Sequence, residues 1–261
     1  MGTQRLGTLP DTAPWRQVVG LIADDAELSA IAGATTKAAV AGLQKARNDQ
    51  GLHYTFFLLA RFAVSARDDN FTANLRAEGF RVSDAPEVFE LVAAFTEIVD
   101  LGLQQRRSRT DLGEIAQLAG VQALTELLGQ RSTDLFGTTA AEVQRAARQL
   151  STPRGFGTLA HEFFARFSHR FLTYHLGREL PLHIGGNGRF ADPEQHNAFV
   201  DQLAVHCREA AAIVRDFAAD WYSKALSPQG KGITPQHTRG FVAHAITKLE
   251  GELTIRGTRD V

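Results

Sequence analysis

An all-α fold, a bundle of about eight or nine helices ending in a long C-terminal antiparallel helical hairpin, is predicted by three features of this 261-residue sequence. Strand signals are nearly absent. Ala, Leu, Gln, Glu and Arg dominate, the residue types that lose least on entering a helix. Capping residues followed by proline or an acid recur ahead of runs whose apolar positions repeat at helical spacing.

Along the chain, residues 1–12 contain Gly and Thr but no apolar run, and are expected to form a flexible tail rather than a secretory leader. Thr12-Ala13-Pro14 opens a first helix through Asp24, and a second is expected over 27–47. The apolar stretch 53–67 makes a third, stopped by the polar Asp68-Asp69-Asn70 turn, with Phe71 in a short helix beside it. Ser83-Asp84-Ala85-Pro86-Glu87 is a start signal, Ser83 as cap and proline in the first turn, for a helix to about Gln105. Thr110-Asp111 begins another to about Arg131, and Thr138 or Thr139 caps one ending near Leu150. Ser151-Thr152-Pro153 begins a Phe-rich helix to Leu180, Asp192-Pro193-Glu194 the longest helix, to Leu226, and Thr234-Pro235 the last, to about Leu253.

The helices over 153–180 and 192–226 are the arms of the expected hairpin. At 100° per residue Phe156, Ala160, Phe163, Phe167, Phe171 and Tyr174 share one face of the first arm. Phe199, Leu203, His206, Ala210, Ile213, Phe217 and Trp221 do so on the second, where His206 reads as a core histidine bonded to a carbonyl. The Gly185-Gly186-Asn187-Gly188 loop supplies the permissive backbone for a reversal. Phe167 and Phe217 are therefore expected at the centre of the core, and Phe71 towards its edge. Arg178, on the Phe face, is expected to be buried against Asp220, with Asp201 or Glu209 as alternative partners. Eight of the nine histidines lie beyond residue 130, and a seam at 150–157 divides the chain into subdomains 13–150 and 151–261, or else one domain runs through it.

A net charge of -1 gives no global attraction to nucleic acid or to an anionic membrane. The most apolar run, 52–66, is too short to span a bilayer and contains His53 and Arg61. Cys207, the single cysteine, can form neither an internal disulfide nor a multi-thiolate metal site, which points to a cytoplasmic, reducing setting. Arginine outnumbers lysine 23 to 5 in an Ala-rich chain, the mark of a GC-rich bacterial genome.

Arg170-Phe171-Leu172-Thr173-Tyr174-His175 resembles the Arg, four residues, His motif of the HEPN superfamily of all-helical ribonucleases. The resemblance implies a metal-independent ribonuclease in which Arg170 and His175 are the catalytic residues acting on a phosphodiester and its 2'-hydroxyl. Phe171 stands where that family usually has a polar residue, and Arg178/His183 and Arg239/His244 repeat the spacing. Positions five apart on a regular helix point about 140° from each other, so the pair converges only across a dimer interface or at a helix irregularity. The stretch from Asp111 to Val121 resembles the first helix and turn of bacterial helix-turn-helix repressors, with Ala116, Gly120 and Val121 in the places that family expects. The recognition helix implied after it, 122–131, holds one basic residue, too few for phosphate contacts, so DNA is an unfavoured partner. Gly230-Lys231-Gly232 lacks the strand and hydroxyl residue of a phosphate loop, and His161-Glu162 lacks a second histidine at zincin spacing. No cofactor and no metal site are expected.

With no catalytic set, cofactor loop or basic patch, the sequence is read as a non-enzymatic scaffold or assembly subunit. It would act through protein partners or self-association in a bacterial multi-component system. A HEPN-like RNA-cleaving effector of a defence system is the alternative, and a DNA-binding protein the second alternative.

Overall fold

A computed structural model describes residues 9–107, 109–129 and 139–259. Residues 1–8 of the expected tail, Thr138 and the end of the helix predicted to reach Arg131 lie outside them. Apart from an isolated bridge between Ile184 and Phe190, the regular structure of the described residues is entirely helical. None of these helices is long and apolar enough to cross a membrane.

Twelve α-helices are present among the described residues, more than the eight or nine expected. They are α1 (Ala13–Ala23), α2 (Leu28–Ala38), α3 (Val40–Ala46), α4 (Gln50–Ser65), α5 (Phe71–Ala77), α6 (Val88–Gln105), α7 (Asp111–Gly129), α8 (Ala140–Leu150), α9 (Pro153–Leu176), α10 (Pro193–Ala210), α11 (Ala212–Ala225) and α12 (Pro235–Arg259). The excess has three sources. The helix expected over 27–47 breaks at Ala39, the short α5 stands as an element of its own, and the long helix expected over 192–226 breaks at Ala211. The Phe-rich helix stops at Leu176, and Leu180–His183 follows as a 3-10 turn containing Pro181.

Side-chain caps explain the starts of six of the twelve helices. Asp49 accepts the Leu52 amide at 2.7 Å, Thr110 the Gly113 amide at 2.9 Å, and Thr152 the Gly155 amide at 3.0 Å. Asp192 accepts the Gln195 amide at 2.9 Å and Thr234 the His237 amide at 3.2 Å, while Thr139 and Glu142 close a capping box. Ser83, expected as a cap, does not act as one. Its hydroxyl donates to Glu90 at 2.9 Å as an extended lead-in, and α6 begins only at Val88. Gly185 and Gly186 adopt positive φ of 78° and 57°, the left-handed backbone that reverses the chain after α9.

The core centres on α4. The Phe56 ring meets Phe156, Phe163 and Phe164 of α9 and stacks on Phe241 of α12 with centroids 5.2 Å apart. Side chains from both sides of the 150–157 seam thus share one apolar cluster. Helix α12 lies along α2 and α4, and the Arg47–Glu250 ion pair ties residues 203 positions apart.

The Phe face of α9 is buried as expected, but the second arm changes register. Before Ala211 the buried positions are Phe199, Leu203, His206, Cys207 and Ala210, whereas after it they are Val214, Ala218, Tyr222 and Ala225. One turn residue advances the helix face by one position. Ile213, Phe217 and Trp221 are therefore only partly buried. Phe71, placed at the edge of the core by the sequence, is 2% exposed and meets Phe62 edge-on at 5.8 Å. Helix α7 runs without interruption through Gly120, so the turn of the helix-turn-helix resemblance is not formed. A Cβ at Gly120 would lie 2.9 Å from the Phe95 ring, and glycine serves close helix packing there.

Candidate functional site

Arg170 and His175 leave α9 in different directions. Arg170 donates through Nε to the Gln122 side chain of α7 at 3.1 Å, and burial, with Arg166 beside it, lowers its pKa. The His175 ring sits among Trp15 of α1 at 4.9 Å, Phe171 at 5.2 Å and Tyr174 at 5.1 Å. Burial pushes its pKa down to about 4, and its Nδ1 is buried without a hydrogen-bond partner among the described residues. The fold brings the two side chains to separate neighbours rather than to each other. The other pairs of this spacing also disperse: the His183 ring bonds Glu179 at 3.1 Å, and His244 lies edge-on to Phe217 at 5.1 Å.

The buried polar centre of α9 lies a few turns earlier. Glu162, 1% exposed, accepts from Arg208 of α10 at 2.8 Å through Oε2, and both of its oxygens face that guanidinium. Arg166, one turn on, stands 3.6 Å away and also 3.8 Å from Glu126 of α7. The neighbouring His161 ring donates from Nε2 to the Arg208 carbonyl at 2.8 Å and accepts at Nδ1 from Arg215 of α11 at 2.9 Å. Such bonding requires the neutral tautomer with its proton on Nε2. Burial lowers the His161 pKa, the carbonyl bond opposes that, and the Arg215 charge adds to the lowering. The N–H and the lone pair of His161 and both oxygens of Glu162 are thereby directed at helix partners, and the cluster ties α9 to α10 and α11 across the break at Ala211.

Sequence reasoning placed the buried arginine–carboxylate contact at Arg178 and Asp220, both of which are exposed. Glu209, offered as an alternative, pairs instead with Arg256 at 2.7 Å. Glu162, read in the sequence only as part of a failed zincin motif, is the buried carboxylate instead, and its place between Leu159 and Phe163, with Arg166 four residues on, marks a charge inside an apolar face. Among the described residues no group of three or more His, Cys, Asp or Glu could hold a metal ion. Cys207 is buried, and that burial pushes its thiol up to about 12, well away from nucleophilic reactivity. Compared with protein-family models, curated proteins and solved structures, the chain matches none of them.

Proposed function

We propose that this chain is a non-enzymatic helical scaffold, an assembly subunit acting through protein partners in a bacterial multi-component system. One observation carries the reading: Glu162, His161 and Arg170 of α9 are occupied as ties between helices, and His175 is packed among rings. Glu162 and His161 join α9 to α10 and α11, Arg170 joins it to α7, and His175 packs against α1. Within this reading α9 and the pair α10–α11 form the antiparallel hairpin that gives the subunit a rigid base. Support comes from contacts in opposite chain order: Phe156 stacks on Tyr222, His161 bonds the Arg208 carbonyl, and His169 bonds the Val200 backbone.

The test is purification of the chain from its host after mild cross-linking, with incubation of the purified protein with single-stranded RNA in chelator. A complex of fixed stoichiometry, with RNA left intact, is the expected result. The reading is overturned if the protein emerges alone and cleaves RNA without metal in a manner abolished by Arg170→Ala and by His175→Ala, which is the outcome the ribonuclease alternative requires.

A further inference from the structure

His161 holds two helices by two different bonds. Its Nε2–H donates to the Arg208 carbonyl of α10 at 2.8 Å, and its Nδ1 accepts from the Arg215 guanidinium of α11 at 2.9 Å. The ring is 2% exposed, whereas Arg215 occupies an exposed position in the first turn of α11. That helix follows the break at Ala211 and starts without a side-chain cap, and its buried positions, Val214, Ala218, Tyr222 and Ala225, are apolar or aromatic. The polar tie of its first turn to α9 therefore exists only while Nδ1 keeps a lone pair.

Protonation of the ring changes one bond and spares the other. An added proton falls on Nδ1, because Nε2 already carries one, and it sets an imidazolium against a guanidinium at hydrogen-bond distance with no lone pair between them. The bond from Nε2–H to the Arg208 carbonyl stays and becomes charge-assisted. A second partner for Nδ1 is already in place. Glu162 Oε1 lies 3.6 Å from it, while Oε2 holds the Arg208 guanidinium at 2.8 Å. The remaining charges at the cluster are Arg166, 3.6 Å from Glu162, and Glu126 of α7, 3.8 Å from Arg166. Arg215, at its exposed position, has water as its alternative.

We propose that His161 is a proton-operated latch: neutral, it holds the first turn of α11 to α9 through Arg215, and on taking up a proton it pairs with Glu162, releases Arg215 to solvent and loosens that turn while α10 stays in place. Burial lowers the pKa of the ring, the Arg208 carbonyl opposes this, the Arg215 charge adds to the lowering and Glu162 opposes it, so the latch opens below pH 6.5. The asymmetry between the two helices is what distinguishes a latch from general acid loosening, since α10 is bonded by the nitrogen that keeps its proton in both states.

The test is a titration of the His161 ring resonances of the full chain from neutral pH downwards, with amide exchange measured on both sides of the midpoint and expressed as protection relative to the unstructured rate at each pH. Protection over 215–219 is expected to fall by about tenfold across the midpoint, the weight of one charge-assisted hydrogen bond, and protection over 203–210 to hold within about twofold. His161→Gln, whose amide can donate to the Arg208 carbonyl and accept from Arg215 without titrating, should abolish the fall. Arg215→Gln, at an exposed position, should raise the His161 midpoint and leave no further fall in α11. The proposal is overturned if the ring stays neutral until the chain unfolds, if protection over 215–219 is unchanged across the midpoint or falls equally in α10, if His161→Gln shows the same fall, or if Arg215→Gln leaves the midpoint where it was.

Discussion

Tyr222 carries a hydroxyl that the fold does not use. The residue is 1% exposed, its ring stacks on Phe156 at 4.2 Å, and its oxygen is buried with no hydrogen-bond partner among the described residues; burial pushes the phenol's pKa up. Removing a buried group without a partner relieves a desolvation penalty. Tyr222→Phe is therefore expected to leave chemical-denaturation stability unchanged or raise it by about 1 kcal/mol; a loss of that size would reveal a partner for the hydroxyl. Glu162 presents the opposite case. Arg208→Ala would leave its buried carboxylate with Arg166 alone, and a cost of about 3 kcal/mol is expected. Glu162→Gln should cost less, because the side chain of Arg208 is 53% exposed and can return to water. Equal losses in equilibrium denaturation would contradict that asymmetry. Tyr222 is not legible in the sequence, since it lies one position off the stripe traced through Trp221, whereas Glu162 leaves a signal there, a carboxylate between Leu159 and Phe163 with Arg166 one turn on.

Helix α9 was readable because its signals are local, Thr152 and Pro153 at the start and phenylalanines at a period of three and four. The break between α10 and α11 was not, since Ala210, Ala211 and Ala212 are all strong helix formers and only tertiary packing turns the chain there. That single residue decides which aromatic side chains matter. Phe71→Ala is expected to cost about 3 to 5 kcal/mol, as for a fully buried ring, and Phe217→Ala distinctly less, because Phe217 is only partly covered. Denaturation of the two variants checks the ordering, and a larger loss at Phe217 would return the core to the uninterrupted stripe. Close approach of helices fixes a further position. A Cβ on Gly157 would lie 2.5 Å from the Arg215 carbonyl of α11, so Gly157→Ala should separate α9 from α11 and destabilise by about 1 to 3 kcal/mol. A neutral result would mean that the two helices can slide apart at no cost.

Over the whole molecule, His53, His161, His169 and His175 all have pKa values lowered from 6.5 by burial, that of His175 to about 4. Well above pH 6.5 these rings are neutral folded or unfolded and contribute nothing to pH dependence. As pH falls towards 4 the unfolded chain takes up protons that the folded chain refuses, so stability is lost across that window. The thermal midpoint should drop between pH 6.5 and 4, and less steeply in His175→Gln; an identical profile for the variant would show that His175 protonates freely in the folded state. The fold class was open to sequence reasoning because helix caps and periodicity are local, whereas the partners of these histidines depend on contacts between distant segments. The same long-range character sets a timetable for the fold. Phe56 faces Phe241, and Arg47 waits for Glu250, which is 203 residues further along. At about 5 to 20 residues per second of synthesis, roughly 10 to 40 s separate the two halves of that contact. Through that interval the apolar side of α2 and α4 has no α12 to cover it, so this part of the nascent chain is most prone to aggregate, and most dependent on chaperones, just before α12 leaves the ribosome.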